Sequence, residues 1–467
     1  MPLLWVAVGV ALMLALVSWA RLDAFFALLL TCFAVGLLEG MDLLAVLASV
    51  LKGLGATLGG VTLILVLGAM LGALVDASGA ARVITGRLTA RFGKQGVQLA
   101  MALTGLIVGL PMLYNAGFLL LIPLVYAVAS ATGLPLVYVG LPLASALSVT
   151  HGFLPPHPAP TFIAFAYGAD VGRTLLLGLV AAVPACLIGG VLLARLLPAA
   201  RRGVPLARAD GAAAEARGDA PATPPSLATS VGTILVPVVL MLLAGVVDVA
   251  AGTAAIDPLR ADVNGRAQLA AAVPDARLRA LVVASKFLGN ANVAMLVAVL
   301  VALYTLGLRR GRAMDALMRD LSRSVGAVAM ILLVIAAGGA FSQVLRDAGV
   351  ADYVSARATG LHWNPLLVAF GLASLLRLAV GSATVAGMTT AGLVAPVVAA
   401  SGVRPELMVL ATGAGSLMFS HVNDTGFWMF KEYFGLGLRD TFATWSVMEM
   451  TVALVGLGAA LLMHALI

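Results

Sequence analysis

Ionisable side chains gather at two places in a chain that is otherwise strongly apolar. The first place is SVTHGFLPPHPAPTF, residues 148–162, where His151 precedes a proline-rich stretch, His157 lies within it and Thr161 follows it. Proline lacks a backbone N–H and cannot continue a helix, so the chain must unwind here. A helix that restarts near Thr161 would offer free N–H groups to an anion. A proline kink without a ligand is the alternative.

The second place is SHVNDTGFWMF, residues 420–430, which brings His421, Asn423 and Asp424 within four positions. Histidine titrates near neutral pH, and a buried aspartate can be brought towards the same range. A His421–Asp424 pair that faces a cavity could therefore take up and release a proton. Asp424 could equally cap a helix that restarts after it.

Two glycine-containing stretches carry further polar groups. GLPMLYNAGF, residues 109–118, contains Tyr114, Asn115 and Gly117. VGSATVAGMTT, residues 380–390, contains hydroxyl groups that include those of Ser382 and Thr384. These groups suit hydrogen bonds to a polyhydroxylated or carboxylate ligand, although Ser and Thr in helices also bond backbone carbonyls.

Metal and hydrolytic chemistry have little support in the sequence. The spacings HxxxxxH and HxxD are not specific for zinc, and no HExxH, GxSxG or P-loop pattern occurs. We therefore expect no enzyme activity, no metal and no cofactor. Without a nucleotide-binding motif, the remaining energy source is an ion gradient, of protons or alternatively of sodium.

Composition determines the class of protein that must position these groups. Of 467 residues, 62% are hydrophobic and only 10% are charged, whereas soluble domains carry about 25% charged residues. The apolar runs reach bilayer length, which predicts an all-α polytopic membrane protein. The net charge of +7 is attributed to cytoplasmic loops, not to nucleic acid binding.

The chain divides into two membrane halves, residues 1–198 and 228–467, joined by a polar linker at 199–227. The apolar runs 96–131 and 364–400 are too long for one helix and are interrupted near the middle. They predict re-entrant hairpins, with pairs of short transmembrane helices as the alternative. Ten further runs predict spanning helices, namely 3–20, 24–40, 54–76, 135–167, 172–198, 228–250, 281–308, 323–345, 405–433 and 440–465.

The two halves repeat one another. Aligning GADVGRT with GLGLRDT places His151 near His421 and Pro123 near Pro396. Five spans in each half would invert the second half relative to the first, with one hairpin and one broken helix in each repeat. Most of the 28 Lys and Arg residues then lie on one face, which predicts that this face is cytoplasmic and that both termini lie outside.

Four long motifs resemble the signatures of the gluconate permease (GntP) family: GSLMFSHVNDTGFWMFKEYFG, RLAVGSATVAGMTTAGLVAP, HGFLPPHPAP and GLPMLYNAGFLLLIPLVY. The resemblance implies a proton-coupled symporter of the bacterial inner membrane, with gluconate, other sugar acids, D-serine or small hydroxy acids as family substrates. Many members resemble FYEVGF in the first hairpin, whereas this chain has Asn115 at the acidic position. The departure predicts altered selectivity.

The sequence therefore predicts a secondary transporter that imports gluconate or a related sugar acid by proton symport. The predicted substrate contacts are Tyr114, Asn115, Gly117, His151, His157, Thr161, Ser382, Thr384 and Asn423. Proton coupling is assigned to His421 and Asp424. Another small carboxylate, sodium coupling, a passive anion channel and a membrane-embedded metal hydrolase are the alternatives. The expected partners are the organic anion and the lipid bilayer, and a homodimer stays open.

Overall fold

The computed structural model describes residues 2–201, 224–253, 263–350, 353, 364–422 and 424–467. Within these ranges the regular secondary structure is helical throughout. Nine of the helices found in them are long and apolar enough to cross a membrane. The predicted all-α membrane class is confirmed.

Aspartates begin three helices of the first half. The side chains of Asp23, Asp42 and Asp170 each accept a hydrogen bond from a backbone N–H two or three residues later, which satisfies a donor that the first turn leaves free. The helices are α1 (Pro2–Ser18), α2 (Ala24–Leu38), α3 (Leu43–Ala77), α4 (Ala80–Phe92), α5 (Val97–Gly109), α6 (Tyr114–Thr132), α7 (Leu136–Phe153), α8 (Pro158–Tyr167), α9 (Val171–Leu196) and α10 (Pro198–Arg201).

The second half also contains one very long helix, Met314–Asp347, followed by shorter ones. Its helices are α11 (Leu227–Ala250), α12 (Val263–Ala272), α13 (Ala276–Gly289), α14 (Ala291–Arg310), α15 (Met314–Asp347), α16 (Pro365–Val380), α17 (Ala383–Ser401), α18 (Pro405–Leu417), α19 (Thr425–Phe434) and α20 (Leu438–Leu466). Residues 202–223 of the predicted linker lie outside the described residues, so the division into halves stays a prediction.

Helices α3 and α15 pack against each other in antiparallel directions. Near the start of α3, the Ser49 hydroxyl donates to the Asp347 carboxylate at the end of α15, at 2.8 Å. Gly53 lies so close to α15 that an added Cβ would be 2.6 Å from the Cα of Ala340. This contact agrees with an inverted repeat, but the inversion of the whole halves and the position of the termini stay predictions.

Both helices are longer than the spans predicted at 54–76 and 323–345. α3 has 35 residues and α15 has 34. α3 continues through Lys52, whose side chain is 67% exposed. Because the ammonium group stays outside the packed interior, it does not end the helix.

The two interrupted runs each form a pair of helices. Run 96–131 forms α5 and α6, which are separated by residues 110–113, and run 364–400 forms α16 and α17, which are separated by Gly381 and Ser382. α5 has 13 residues, so it is about 20 Å long, against about 30 Å for the bilayer core. The break in each run is where polar and glycine residues predict it, and the re-entrant path stays a prediction.

Two predicted spans are broken where the sequence predicts a break. Span 135–167 forms α7 and α8, and span 405–433 forms α18 and α19. α8 begins at Pro158, in the position where proline is best tolerated. α19 begins after Asp424, whose carboxylate accepts the N–H of Gly426 at 3.0 Å. The capping interpretation of Asp424 is therefore confirmed.

The prediction of one helix over 281–308 is wrong. The chain forms α13 and α14 instead, with a break at Asn290. The Asn290 side chain accepts the backbone N–H of Asn292 at 3.1 Å and begins a new helix. Asparagine competes in this way with the continuing helix.

Candidate functional site

A buried ion pair joins the second hairpin to the second broken helix. Arg377, near the end of α16, has a side chain that is only 3% exposed. Its guanidinium group donates to the carboxylate of Asp424 and to the carbonyl of Gly381, which follows α16. Asp424 thus caps α19 and neutralises a buried cation at the same time. A guanidinium group is suited to this double contact because its donors form a rigid planar fork.

Ser420 fixes the position of this ion pair. Its hydroxyl donates to Asp424 and accepts the indole N–H of Trp445 at 2.8 Å. The hydroxyl of Ser446 donates to the Ser420 carbonyl. Trp445 and Ser446 lie in a π-helical turn of α20, a local distortion that is frequent at functional sites. The turn therefore holds the second break in place.

The two histidines of the first broken helix contact different hairpins. His151, at the end of α7, has its Nε2 atom 3.3 Å from the hydroxyl of Thr384 at the start of α17. The Nε2–H group of His157 donates to the carbonyl of Gly109 at the end of α5, at 2.7 Å. The imidazole rings lie 5.5 Å apart and nearly perpendicular. The histidines therefore connect the first break to both hairpins.

Tyr114 lies between His151 of the first broken helix and Trp445 of α20. Its ring centroid lies 6.4 Å from that of His151 and 5.7 Å from that of Trp445. Trp445 is in turn connected through Ser420 to Asp424 and Arg377. The breaks of both hairpins and both broken helices thus surround one buried region. We call its residues the central cluster, namely Tyr114, His151, Thr384, Arg377 and Asp424.

The central cluster has unused hydrogen-bonding capacity. Among the described residues, no partner is found for the Tyr114 hydroxyl, the Nδ1 atom of His151 or the Nε atom of Arg377. The hydroxyl of Thr161, one turn after His157, is buried and without a partner in the same way. Leaving such a group unpaired costs about 1–3 kcal/mol. A polar ligand with several hydroxyl groups would satisfy these atoms.

The predicted anion site at the start of α8 is poorly equipped. α8 begins at Pro158, so Pro158 and Pro160 both fall in its first turn and supply no N–H. The N–H of Thr161 already donates to the His157 carbonyl at 3.1 Å. At the start of α19, the Asp424 carboxylate occupies the corresponding place. Few free N–H groups are therefore left for an anion at either helix start.

Other predicted site residues have separate positions or partners. The side chain of Asn115 is exposed, and Gly117 packs on Leu147. The Ser382 hydroxyl accepts the N–H of Val385 and caps α17. The ring of His421 bonds the carbonyl of Leu378 at 3.0 Å.

Asn423 lies outside the described residues. His421 and Asp424, predicted as a proton-carrying pair, thus bond different groups.

Two ionisable residues escaped the site prediction. Neither Arg377 nor Glu449 is among the residues that the sequence predicts for the site. Glu449, in α20, is 1% exposed and accepts the hydroxyl of Ser148 at 2.6 Å. The signal for both was present, because each is a single charged residue inside an apolar run, in LASLLRLAV and SVMEMTVAL.

Solved transporter structures share the fold. The structure of the Alcanivorax borkumensis YdaH transporter matches with a TM-score of 0.63 and 18% identity, over 94% of this chain and 97% of that chain. Neisseria gonorrhoeae MtrF, described as illuminating a class of antimetabolite efflux pumps, matches with a TM-score of 0.60 and 13% identity, over 90% and 83%. At these identities the likeness concerns the fold alone.

Sequence comparison identifies nearer relatives. A high-affinity gluconate transporter of Escherichia coli is 44% identical over 468 residues, and the Gnt-II system L-idonate transporter of the same organism is 43% identical over 469 residues. A gluconate permease of Bacillus subtilis is 40% identical over 471 residues. Each match covers 100% of both chains. The model of the GntP family permease matches residues 1–467, and the chain is therefore a multi-pass membrane protein that belongs to the GntP family of permeases.

Proposed function

We propose that this protein imports gluconate or a related sugar acid by proton symport across the bacterial inner membrane. Relatives that match along the whole chain are named as transporters of gluconate and of L-idonate. Both compounds are polyhydroxylated six-carbon acids with one carboxylate. The observation that carries the proposal is the buried Arg377, placed where both hairpins and both broken helices meet.

Arg377 supports recognition of the carboxylate. A cation inside an apolar membrane protein is costly and marks functional sites. Its only ion-pair partner among the described residues is Asp424. Guanidinium groups bind carboxylates through parallel hydrogen bonds. The substrate carboxylate would therefore exchange with Asp424 for the same guanidinium group, as one anion replaces another.

The neighbouring polar atoms support recognition of the hydroxyl groups. The Tyr114 hydroxyl can donate or accept a hydrogen bond, and so can the hydroxyls of Thr384 and Thr161. The free Nδ1 atom of His151 adds a further partner. A substrate with several hydroxyl groups would form hydrogen bonds with these atoms and gain affinity from them. A simple apolar acid would leave the same atoms unpaired.

The proposal includes the ion that drives transport and the orientation of the chain in the membrane. The electrochemical gradient of protons would drive accumulation, with sodium as the alternative ion. Both termini would lie on the periplasmic side, because most basic residues fall on the opposite face. The substrate anion and the lipid bilayer are the partners in this proposal.

Uptake into proteoliposomes tests the proposal. Purified protein is reconstituted, and accumulation of radiolabelled gluconate is measured with an imposed pH gradient, with a sodium gradient and with neither. We expect accumulation above the external concentration only when the outside is more acidic, with competition by L-idonate. Accumulation that follows sodium and ignores pH would contradict proton symport. Equilibration without accumulation in every case would indicate a passive channel.

A further inference from the structure

The strongest unexplained feature of the site is the carboxyl group of Glu449. Its side chain is 1% exposed and lies in α20, one turn after the π-helical segment. The Ser148 hydroxyl donates to its Oε1 atom at 2.6 Å. No hydrogen-bond partner for its Oε2 atom is found in the part of the chain that the structure describes. Half of this carboxyl group is thus unsatisfied.

The ionised form of Glu449 is poorly supported where it lies. Among the described residues, Glu449 takes part in no ion pair. Arg377 and Asp424 are the charged residues that act on Glu449 through space, and the Tyr114 ring packs against Trp445 of the same helix α20. Arg377 already pairs with Asp424, so it is not an ion-pair partner of Glu449. A buried carboxylate without a cation is costly, and a bound proton removes that cost.

Glu449 is connected to the central cluster through two helices. On α7, Ser148 precedes His151 by three residues, so both side chains lie on one face of the helix. On α20, Ser446 precedes Glu449 by three residues and holds Ser420. Ser420 in turn donates to Asp424. A change of charge at Arg377 can therefore affect Glu449 in two ways, electrostatically through space and through these short chains of contacts.

We propose that Glu449 carries the proton that is transported with the substrate, an inference that rests on the transport function proposed above. A substrate anion on Arg377 adds a negative charge near Glu449 and favours the protonated form. By reciprocity, a proton on Glu449 favours binding of the anion. One proton and one monovalent anion then cross together without net charge. His421 and Asp424 would not carry the proton in this scheme.

Separating exchange from accumulation tests the inference. Glu449→Gln imitates the protonated form, because the amide is neutral and similar in shape. We expect this variant to keep gluconate counterflow, which requires no net proton movement, and to lose accumulation driven by a pH gradient. Glu406→Gln is the matched control, since Glu406 is also buried but lies in the first turn of α18. It should retain both activities.

Accumulation by Glu449→Gln at the wild-type level would overturn the role of Glu449 and leave the transport function intact. A wild-type protein that ignores the pH gradient would overturn both proposals. If Glu449→Gln also loses counterflow, Ser148→Ala decides the matter. Removing the Ser148 hydroxyl takes a hydrogen bond from the ionised form of Glu449, so the pH midpoint of uptake should rise by about 1–2 units. An unmoved midpoint would overturn the inference.

Discussion

Replacing Arg377 by Lys removes the guanidinium fork and keeps a positive charge in the central cluster. In the wild-type protein one terminal nitrogen of Arg377 donates to Gly381 and the other to Asp424. Lysine has a single ammonium nitrogen in place of these two nitrogens. It cannot donate to the Gly381 carbonyl and to a carboxylate in the same geometry. The variant should therefore lose about one charge-assisted hydrogen bond to the substrate.

The expected loss is large enough to measure. A hydrogen bond to a charged group contributes about 1.5–3 kcal/mol, which corresponds to gluconate binding that is about 10- to 150-fold weaker. Binding of radiolabelled gluconate to the purified protein measures this change. Sorbitol, which lacks the carboxylate, serves as a competitor, and the preference for gluconate over sorbitol should shrink in the variant. The exposed Arg195, which bonds Gln98 at 2.7 Å, supplies the control Arg195→Lys.

Stability can be separated from recognition with a second pair of variants. Arg377→Met leaves the Asp424 carboxylate without its cation, at a cost of about 3–5 kcal/mol. Adding Asp424→Asn removes the unpaired charge, so thermal unfolding in detergent should return towards the wild-type temperature while gluconate binding stays lost.

For the Arg377→Lys variant, gluconate binding within about twofold of wild type, or ~0.4 kcal/mol, would refute the assignment of the substrate carboxylate to Arg377.

Three further outcomes follow from the same geometry. Asp424→Asn should abolish accumulation in proteoliposomes while gluconate still binds, because the Asp424 carboxylate that exchanges with the substrate on Arg377 is gone. Unchanged accumulation would remove Asp424 from the mechanism. Gly53→Ala should lower the thermal unfolding temperature, since its Cβ would meet Ala340 at 2.6 Å, whereas Gly55→Ala, with nothing within 4 Å, should not. Asn115→Glu should change gluconate affinity by less than about threefold, because the Asn115 side chain is exposed on the outside of the helices, apart from the buried central cluster; a larger change would place this side chain near the substrate.

The sequence predicted the membrane class from its apolar pattern, and it predicted the breaks in the two hairpins and the two broken helices. Prolines, glycines and polar residues interrupt the helices locally, so their effect is visible in a single stretch. The sequence did not predict the full length of α3. A lysine such as Lys52 can mark the end of a helix, or it can lie within the helix with its side chain extended towards water. The break at Asn290 was missed for a similar reason, since its capping bond depends on local geometry that the apolar pattern does not show.

The site was predicted only in part because its contacts join distant parts of the chain. His151 and Asp424 were recognised as ionisable groups in apolar surroundings. Their partners were not, since Arg377 and Asp424 are 47 positions apart and Ser148 and Glu449 are 301 positions apart. Pairing over such distances depends on the packing of helices, which no local motif shows. The aligned halves indicated corresponding breaks without indicating which side chains meet.

The central claim is that the buried guanidinium group of Arg377 binds the carboxylate of the transported acid. A structure determined with gluconate bound tests it most directly. We expect the substrate carboxylate at about 3 Å from the Arg377 guanidinium, with Asp424 displaced from that group. Gluconate bound elsewhere, with the Arg377–Asp424 pair intact, would contradict the account.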